Sequence, residues 1–365
     1  SDFKIALIEP HAPTSIPQDL SWDSRVYAIS PGSADFLTQL GVWQLIANER
    51  ITPVYDMAVF GDDHCAQIDF SAYEIGLSQL AYIVENRQLQ NSAWNTLKTA
   101  NENMHIFSQK CTSIEFLNSH VILQLENSNQ LETALIVGAD GINSWVRNQT
   151  DIRASKKSYQ QIGVVANFET ELSHRHIARQ WFRRDGILAF LPLPEKRVSI
   201  VWSTSEQHAH QLCHLTPEEL CHQVQEASFN QLGKMKLITP PVGFPLNSLH
   251  VEPLVKPRLV LIGDAAHGIH PLAGQGVNLG LRDTRELARV LNSQAAQSDC
   301  GDYMMLRRYE ITRKEDIVAL EWVTDGLQKL FNNPNPTIAR LRNLGLEITN
   351  RLPLIKNHLM QHALN

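Results

Sequence analysis

The residues whose types and spacing could do chemistry concentrate between positions 263 and 278. Leu259-Val260-Leu261-Ile262 is an apolar run that leads straight into Gly263-Asp264-Ala265-Ala266-His267. Pro271, Gly274, Gln275, Gly276 and Asn278 follow, then a long helical pattern. The order is strand, acid, glycine-rich loop, helix. A carboxylate at the C-terminal end of a strand is placed to accept hydrogen bonds from sugar-like hydroxyls. Gly274 and Gly276 let the backbone come close to a flat ligand. The helix start turns its positive end toward whatever sits there and favours negative charge. The plain alternative is a strand–loop–helix crossover in which the glycines only permit turns. A lone pair of glycines would be read that way; a specified order running from Gly263 to Asn278 argues for a ligand.

Three further residues could belong to the same site. In Gly138-Ala139-Asp140-Gly141-Ile142-Asn143-Ser144-Trp145-Val146-Arg147 a short buried strand ends at a glycine turn, with Asp140 near a helix start. Alone, this is also an Asp-Gly turn capping a short helix. Glu9 closes the β-type run Lys4–Glu9, where a dinucleotide fold places the acid that binds a ribose; a solvated acid at a strand end is the alternative. Arg25, in Ser24-Arg25-Val26-Tyr27-Ala28-Ile29, is by itself a surface arginine. His267 and His270 have no cysteine or acid at metal-ligand spacing, so no metal is expected.

These residues need elements to hold them. A helix is expected from a Ser33 cap to about Asn48, a strand at Val54–Phe60 and a helix at Arg87–Ala100. His105–Gln109, Ser113–Leu117, Val121–Leu125 and Leu135–Gly138 read as strands. From Gln161 to about Ser203 short β-rich runs alternate with turns, which predicts an antiparallel sheet. Pro217–Phe229 reads as helical and Arg258–Ile262 as a buried strand. Helices follow at Gln275–Ser293 and Asp302–Leu330, then an amphipathic tail from Thr337. The tail carries Ile338, Leu341, Leu344, Ile348, Leu352 and Ile355 at near-helical spacing, with Arg340, Arg342, Arg351 and Lys356 beside them. It could pack on the body or meet a membrane surface or partner enzyme. The expectation is a mixed α/β (α+β) chain: a Rossmann-like three-layer nucleotide-binding domain, an inserted antiparallel-sheet domain and C-terminal helices. The nucleotide-binding part is assigned to residues 1–50, 80–155 and 256–300, the β-rich part to 51–79 and 156–255, and the last helices to 301–365.

Composition sets outer bounds. The 365 residues are 43% hydrophobic and 19% charged, as in a globular chain. A net charge of −6 offers no field for a polyanion, so nucleic acid is not an expected partner. Five cysteines at scattered spacings argue against a disulfide framework and for a reducing compartment. No run is apolar for the roughly 18 residues that a membrane helix needs. The expected location is the cytoplasm, with peripheral contact at the inner face of the membrane left open.

The run from Gly263 to Gly280 resembles the "GD" motif of single-component flavoprotein aromatic hydroxylases. It is most similar to the ubiquinone-biosynthesis hydroxylases, which add ring hydroxyls to polyprenylated phenols. Gly138–Arg147 resembles the second, "DG" motif of that family, with its serine and arginine at Ser144 and Arg147. The resemblance extends from Phe3 to the C-terminal helices. It implies FAD as cofactor, with NAD(P)H or another donor as reductant, and a polyprenylated phenol and O2 as substrates. Reduced flavin would capture O2 as a C4a-hydroperoxide and hydroxylate the ring. It further implies that Gly263 opens the loop, that Asp264 binds the ribityl chain, that Pro271, Gly274 and Gly276 line the isoalloxazine and that Gln275 also binds the cofactor. The backbone at Val277 and Asn278 would face the pyrimidine; Asp140, Glu9 and Arg25 would hold other parts of FAD. Other ubiquinone-biosynthesis enzymes are implied partners. The strand–GxGxxG–helix segment that opens the family pattern has no counterpart here, so this chain is expected to bind FAD weakly. Trp181, Phe182, Ile187, Phe190, Leu191, Pro192 and Trp202 are candidates for an apolar substrate surface, most of them equally readable as sheet core. Two alternatives stand: a flavoprotein acting on another aromatic substrate, and an assembly subunit that has lost FAD.

Overall fold

A computed structural model of the chain describes residues 3–13, 21–61, 67–99, 103–269, 275–293 and 299–331. The fold is mixed α/β, and its contacts divide it into two units. One comprises residues 1–14, 94–157 and 247–323, the other residues 15–93, 158–246 and 324–365.

The first unit carries both acidic motifs. Strand Ile5–Ile8 pairs in parallel with Met104–Phe107. Strand Ile136–Gly138 pairs in parallel with Leu259–Leu261, in the register Ile136↔Leu259, Val137↔Val260 and Gly138↔Leu261. Val255–Lys256 closes that sheet on the far side of Leu259–Leu261, antiparallel. A three-stranded meander, Cys111–Phe116, Val121–Leu125 and Gln130–Thr133, stands beside them. Helices Gly276–Asn292 and Tyr303–Phe331 follow the second motif. One core joins these elements: Leu259, Val260 and Leu261 are fully buried, with Val121, Leu125, Leu279, Leu287, Leu306 and Tyr309 around them. A strand apolar at three consecutive positions has both faces covered, as expected in a parallel sheet.

The second unit is built on a mixed, mainly antiparallel sheet, in which Asp56–Phe60 and Ile177–Arg183 pair in parallel. Strands Gln67–Ser71, Asp56–Phe60, Ile177–Arg183, Gly186–Leu193, Arg197–Ser205, Arg153–Thr170 and Val242–Glu252 lie in that spatial order, and Met235–Leu237 also pairs with Arg153–Thr170. Alternation along the strands sends Val164, Ala166, Phe168, Trp181, Leu188, Phe190, Val198, Ile200 and Trp202 to one face. There they pack under helices Glu206–His214 and Pro217–Ala227. The second helix opens with a Thr216–Glu219 capping box and a proline at its first position. Trp181, Phe190 and Trp202 therefore serve the sheet core. Leu191 packs into a separate cluster with Leu193, Ala178, Val54 and Ile83.

Two expectations differ from the structure. The helix expected from Ser33 to Asn48 runs from Pro31 to Gln39, and its cap is Ser30, whose side chain accepts from the Ser33 N–H. It stops because Gly41 takes a left-handed φ of 76°, after which Trp43–Leu45 forms a separate 3-10 turn. Residues 21–50 and 80–93, grouped above with the nucleotide-binding part, belong to the second unit. Their small sheet of Val26–Ile29, Ala81–Glu85 and Ile51–Val54 buries Val54 and Ile83 against Ala178 and Leu193. The tail from Thr337 lies outside the described residues.

Gly138 shows how tightly the first unit is closed. A methyl group there would sit 2.6 Å from Leu261 Cδ2 and 3.1 Å from Val146 Cγ1. Leu261 is fully buried and has no room to yield. Gly138→Ala should therefore destabilise the protein by about 1–3 kcal/mol through overpacking. Denaturant titration will show this as a lower midpoint at unchanged slope; an unchanged midpoint would mean that the strand pair is not packed as described.

Candidate functional site

Because Ile136–Gly138 and Leu259–Leu261 are neighbouring parallel strands, both acidic loops leave the sheet at the same, C-terminal end. The Ile262 N–H donates to the Gly138 carbonyl at 3.0 Å and carries the pairing one step further. In open α/β sheets this end is where ligands bind.

The two acids are used differently. Asp140 is exposed, and its Oδ2 accepts the Val146 N–H at 3.0 Å. Ser144 Oγ accepts the Arg147 N–H at 2.9 Å, so together they cap the short helix Trp145–Asn148. Capping thus accounts for one of the Asp140 oxygens. Asp264 is also exposed, but makes no hydrogen bond or ion pair with any described residue. It sits in the 3-10 turn Gly263–Ala265 directly after the strand. Gly263 takes a left-handed φ of 58° there, and its Cα would lie 3.3 Å from a methyl group on Gly280. Two glycines back to back let the turn rest against the helix that follows.

Three side chains pin the turn from below. Arg147 donates from Nη1 to the Ala265 carbonyl and from Nη2 to the Ile142 carbonyl, both at 2.8 Å. It thereby ties the first acidic loop to the second. Its burial lowers the guanidinium pKa, and the nearby Asp140 charge works against that shift. Tyr309, on the long helix, donates to the Leu261 carbonyl at 3.0 Å. Burial raises that phenol well above its usual pKa, so it stays a donor at every ordinary pH. Asp283, on helix Gly276–Asn292, is fully buried. Its Oδ2 accepts from the Gly263 N–H at 2.8 Å and lies 2.6 Å from His267 Nε2; its Oδ1 accepts from Arg313 Nε at 2.7 Å. Burial alone would push this carboxyl up, but His267 and Arg313 hold it below the usual carboxylate value. An ionised carboxylate can only accept, so His267 carries its proton on Nε2. Arg313 also reaches Asp316 at 2.5 Å.

The helix beyond the loop begins openly. The Gln275 side chain makes no capping bond to it, and its first turn holds no acid. A methyl group on Gly276 would meet no described residue within 4 Å. Asn278 is buried, with its Nδ2 3.5 Å from Gln275 Oε1; Val277 is half-buried between them. Pro271 and Gly274 lie outside the described residues. The set fits a flat ligand that has hydroxyls for Asp264 and an electron-rich edge for the helix N–H groups.

Glu9 and Arg25 are placed less distinctively. Glu9 closes its strand, its N–H bonded to the Phe107 carbonyl at 3.0 Å, and its Oε1 accepts the His11 N–H at 3.0 Å. Arg25 belongs to the second unit, exposed, with its guanidinium 5.4 Å from the Tyr27 ring centroid and 6.0 Å from that of Phe244. Sequence reasoning missed Asp283, Tyr309 and Arg313 altogether. It also left His267 without an acidic partner, which Asp283 supplies from 16 residues away. A signal was present: Asp283 stands midway between Leu279 and Leu287 on the buried stripe of an amphipathic helix. A charge at such a position demands a partner. Among the described residues, no group of three or more His, Cys, Asp or Glu could hold a metal.

Residues 17–319 match the family model described as FAD binding domain. The chain is 33% identical to the 3-demethoxyubiquinol 3-hydroxylase of Escherichia coli, over 99% of this chain and 92% of that protein. It is 32% identical to the mitochondrial ubiquinone biosynthesis monooxygenase of Danio rerio, over 94% of this chain and 80% of that protein. Among solved structures, PqsL, a probable FAD-dependent monooxygenase from Pseudomonas aeruginosa, superposes with a TM-score of 0.77 at 19% identity, covering 94% of this chain and 93% of its own. Klebsiella pneumoniae HpxO, solved with FAD and uric acid, gives 0.73 at 14% identity over 99% and 97%. These two share the fold.

The bridge made by Arg147 is open to a direct test. Arg147→Met keeps the buried aliphatic volume but removes both bonds to the loop carbonyls. Leaving one buried and one part-buried acceptor unpaired should cost about 2–6 kcal/mol of stability at most, at roughly 1–3 kcal/mol for each. A variant melting at the parent temperature would show that the two loops are held together by other means.

Proposed function

This chain belongs to the FAD binding domain family of flavoprotein monooxygenases, and on that premise we propose that it hydroxylates the aromatic ring of a polyprenylated phenol on the way to ubiquinone. The observation that carries the reading is Asp264: an exposed acid that bonds to none of the described residues, on a turn whose backbone is held at three points. A carboxylate presented in this way is built for a ligand hydroxyl, and the ribityl chain of FAD supplies several. Gly263 gives the turn its shape. Gly276, with the neighbouring Pro271, Gly274 and Gln275, would lie along the flavin ring, and the N–H groups at Val277 and Asn278 would meet its pyrimidine edge. Asp140, Glu9 and Arg25 complete our assignment of the FAD contacts.

When bound, FAD supplies the redox chemistry, reduction by NAD(P)H or another donor and activation of O2. The protein's own part is to hold the cofactor's oxygen-reacting face and the phenol ring in a fixed geometry and to keep water out. We assign the flavin-holding role to the unit that carries Asp264 and the phenol-holding role to the β-rich unit. The named activities of the Escherichia coli and Danio rerio relatives support ubiquinone biosynthesis as the setting. A polyprenyl chain partitions into lipid, so a cytoplasmic enzyme working at the membrane face, beside other enzymes of the pathway, completes the proposal. No described helix is long and apolar enough to cross a membrane.

Two substitutions test the cofactor site. Asp264→Ala should weaken FAD binding about five- to hundredfold, the equivalent of a buried hydroxyl losing its acceptor at roughly 1–3 kcal/mol. Gly276→Val places a side chain where no described residue stands within 4 Å. It should therefore leave the melting temperature of the flavin-free protein near the parent value while abolishing flavin retention. Titration with FAD, read by fluorescence quenching, measures both; parent-like affinity in both variants would refute the site. Incubation with a polyprenylphenol under 18O2 should place one labelled oxygen on the ring, and an unlabelled or unchanged phenol would reject the reaction.

A further inference from the structure

We propose that Asp283 is a positioning residue for the cofactor loop, a buried clamp whose hydrogen bonds to Gly263 and His267 set the shape on which FAD binding depends. The proposal rests on the flavin reading only for the identity of the ligand.

The geometry is specific. A single oxygen of Asp283 lies 2.8 Å from the Gly263 nitrogen and 2.6 Å from His267 Nε2. Those donors stand at the two ends of the segment Gly263–His267, so one atom closes the turn at both ends. The other oxygen is fixed by Arg313 at 2.7 Å, and Arg313 is itself held by Asp316. The carboxylate therefore cannot rotate without breaking a buried ion pair. Asp283 also belongs to the helix whose open N-terminus begins at Gly276. It thus couples the two parts of the ligand surface, the Asp264 turn and the helix start. Asp264 makes no bond among the described residues, so its aim is decided by its neighbours: Gly263, held by Asp283, and Ala265, held by Arg147. Asp283 is fully buried and acts on the ligand only through these groups. The role is suited to an ionised aspartate. An asparagine would offer one acceptor and turn a donor toward groups that are themselves donors.

His267 provides the cleanest test, because it can be changed without breaking the Asp283–Arg313 pair. His267→Leu fills the buried space but donates nothing; His267→Gln keeps an amide donor. With FAD absent, hydrogen exchange across residues 261–269 and the melting temperature are measured; FAD affinity follows by equilibrium titration. His267→Leu should speed exchange in that segment and weaken FAD binding about tenfold to hundredfold, the loss expected for a hydrogen bond to a charged group. His267→Gln should restore most of both. Asp283→Asn should match or exceed the leucine variant, and if it does not fold the His267 pair decides alone. Parent-like exchange and affinity in His267→Leu, or equal impairment in Leu and Gln variants, would overturn the clamp. Asp264→Ala run in parallel separates the two readings: if it leaves FAD affinity unchanged, the assignment of Asp264 fails, while exchange in the flavin-free protein still reports on Asp283.

Discussion

The structure of the first unit depends on a carboxylate that has been taken out of water. An ionised group as buried as Asp283 costs several kcal/mol in desolvation, and the cost is offset only if its partners are close and well aimed. Here they are a backbone N–H, an imidazole and a guanidinium, contributed by the loop that begins at Gly263 and by the long helix. The requirement runs in both directions. Arg313, equally buried, needs Asp283 as much as Asp283 needs it. Once this pair is placed, the helix Gly276–Asn292, the helix Tyr303–Phe331 and the turn between strand and helix have little freedom left. Tyr309, one helical turn before Arg313, then falls where it can bond the last carbonyl of the strand.

The strand and helix that flank the candidate loop were legible in the sequence because their signals are local. An apolar triplet, an acid and glycines in a fixed order need only neighbouring residues to be read, and the strand Leu259–Leu261 and helix Gly276–Asn292 lie within a residue or so of expectation. The antiparallel strands between Gln161 and Ser203 were legible for the same reason, from their alternation; the parallel pairing of Ile177–Arg183 with Asp56–Phe60 was not. What holds the loop was not legible, because it is made across long separations: 118 residues from Arg147 to Ala265, 48 from Tyr309 to Leu261, 30 from Arg313 to Asp283. An aspartate in a helix reads as a surface charge until its place on the apolar stripe is weighed against Leu279 and Leu287. The first helix was misplaced on a smaller point. Ser30 and Ser33 are both plausible caps by type, and the proline at the first helical position, Pro31, favours Ser30. The aromatic residues of the β-rich unit carry a similar lesson: Trp181 and Trp202 are large enough to suggest a ligand surface, yet strand parity sends both under the helices.

Polar groups around the loop fall into two classes, and burial separates them. Those that fix the backbone (Asp283, Arg313, Arg147 and Tyr309) are buried and bonded within the protein, although Arg147 Nε and Arg313 Nη2 are buried with no partner among the described residues. Those that the sequence marked for a ligand, Asp264 and Asp140, are exposed, and Asp264 has no partner among the described residues. The division follows from the energetics. A buried polar group without a partner costs stability, so it must be satisfied by the fold itself. A group reserved for a ligand must stay unsatisfied in the free protein, and the only inexpensive place for it is in contact with water. The space beside Gly276, which no described residue fills, obeys the same logic for shape: it costs the folded chain little, and a flat ring could fill it.

This separation also explains why so much charge is spent on so short a segment. A turn held only by its own backbone bonds could adjust around a ligand and would pay the entropy of ordering each time one bound. Pinning the Leu261 carbonyl, the Gly263 N–H and the Ala265 carbonyl with side chains from three different elements places that ordering cost in folding instead. The exposed carboxylate of Asp264 is then presented on a backbone with few alternatives. Loops are ordinarily the most adaptable part of a fold. This one is anchored to two helices and a neighbouring loop by buried, partly ionic bonds, and such anchoring is what a site needs when its ligand must be held in one orientation for a reaction to follow.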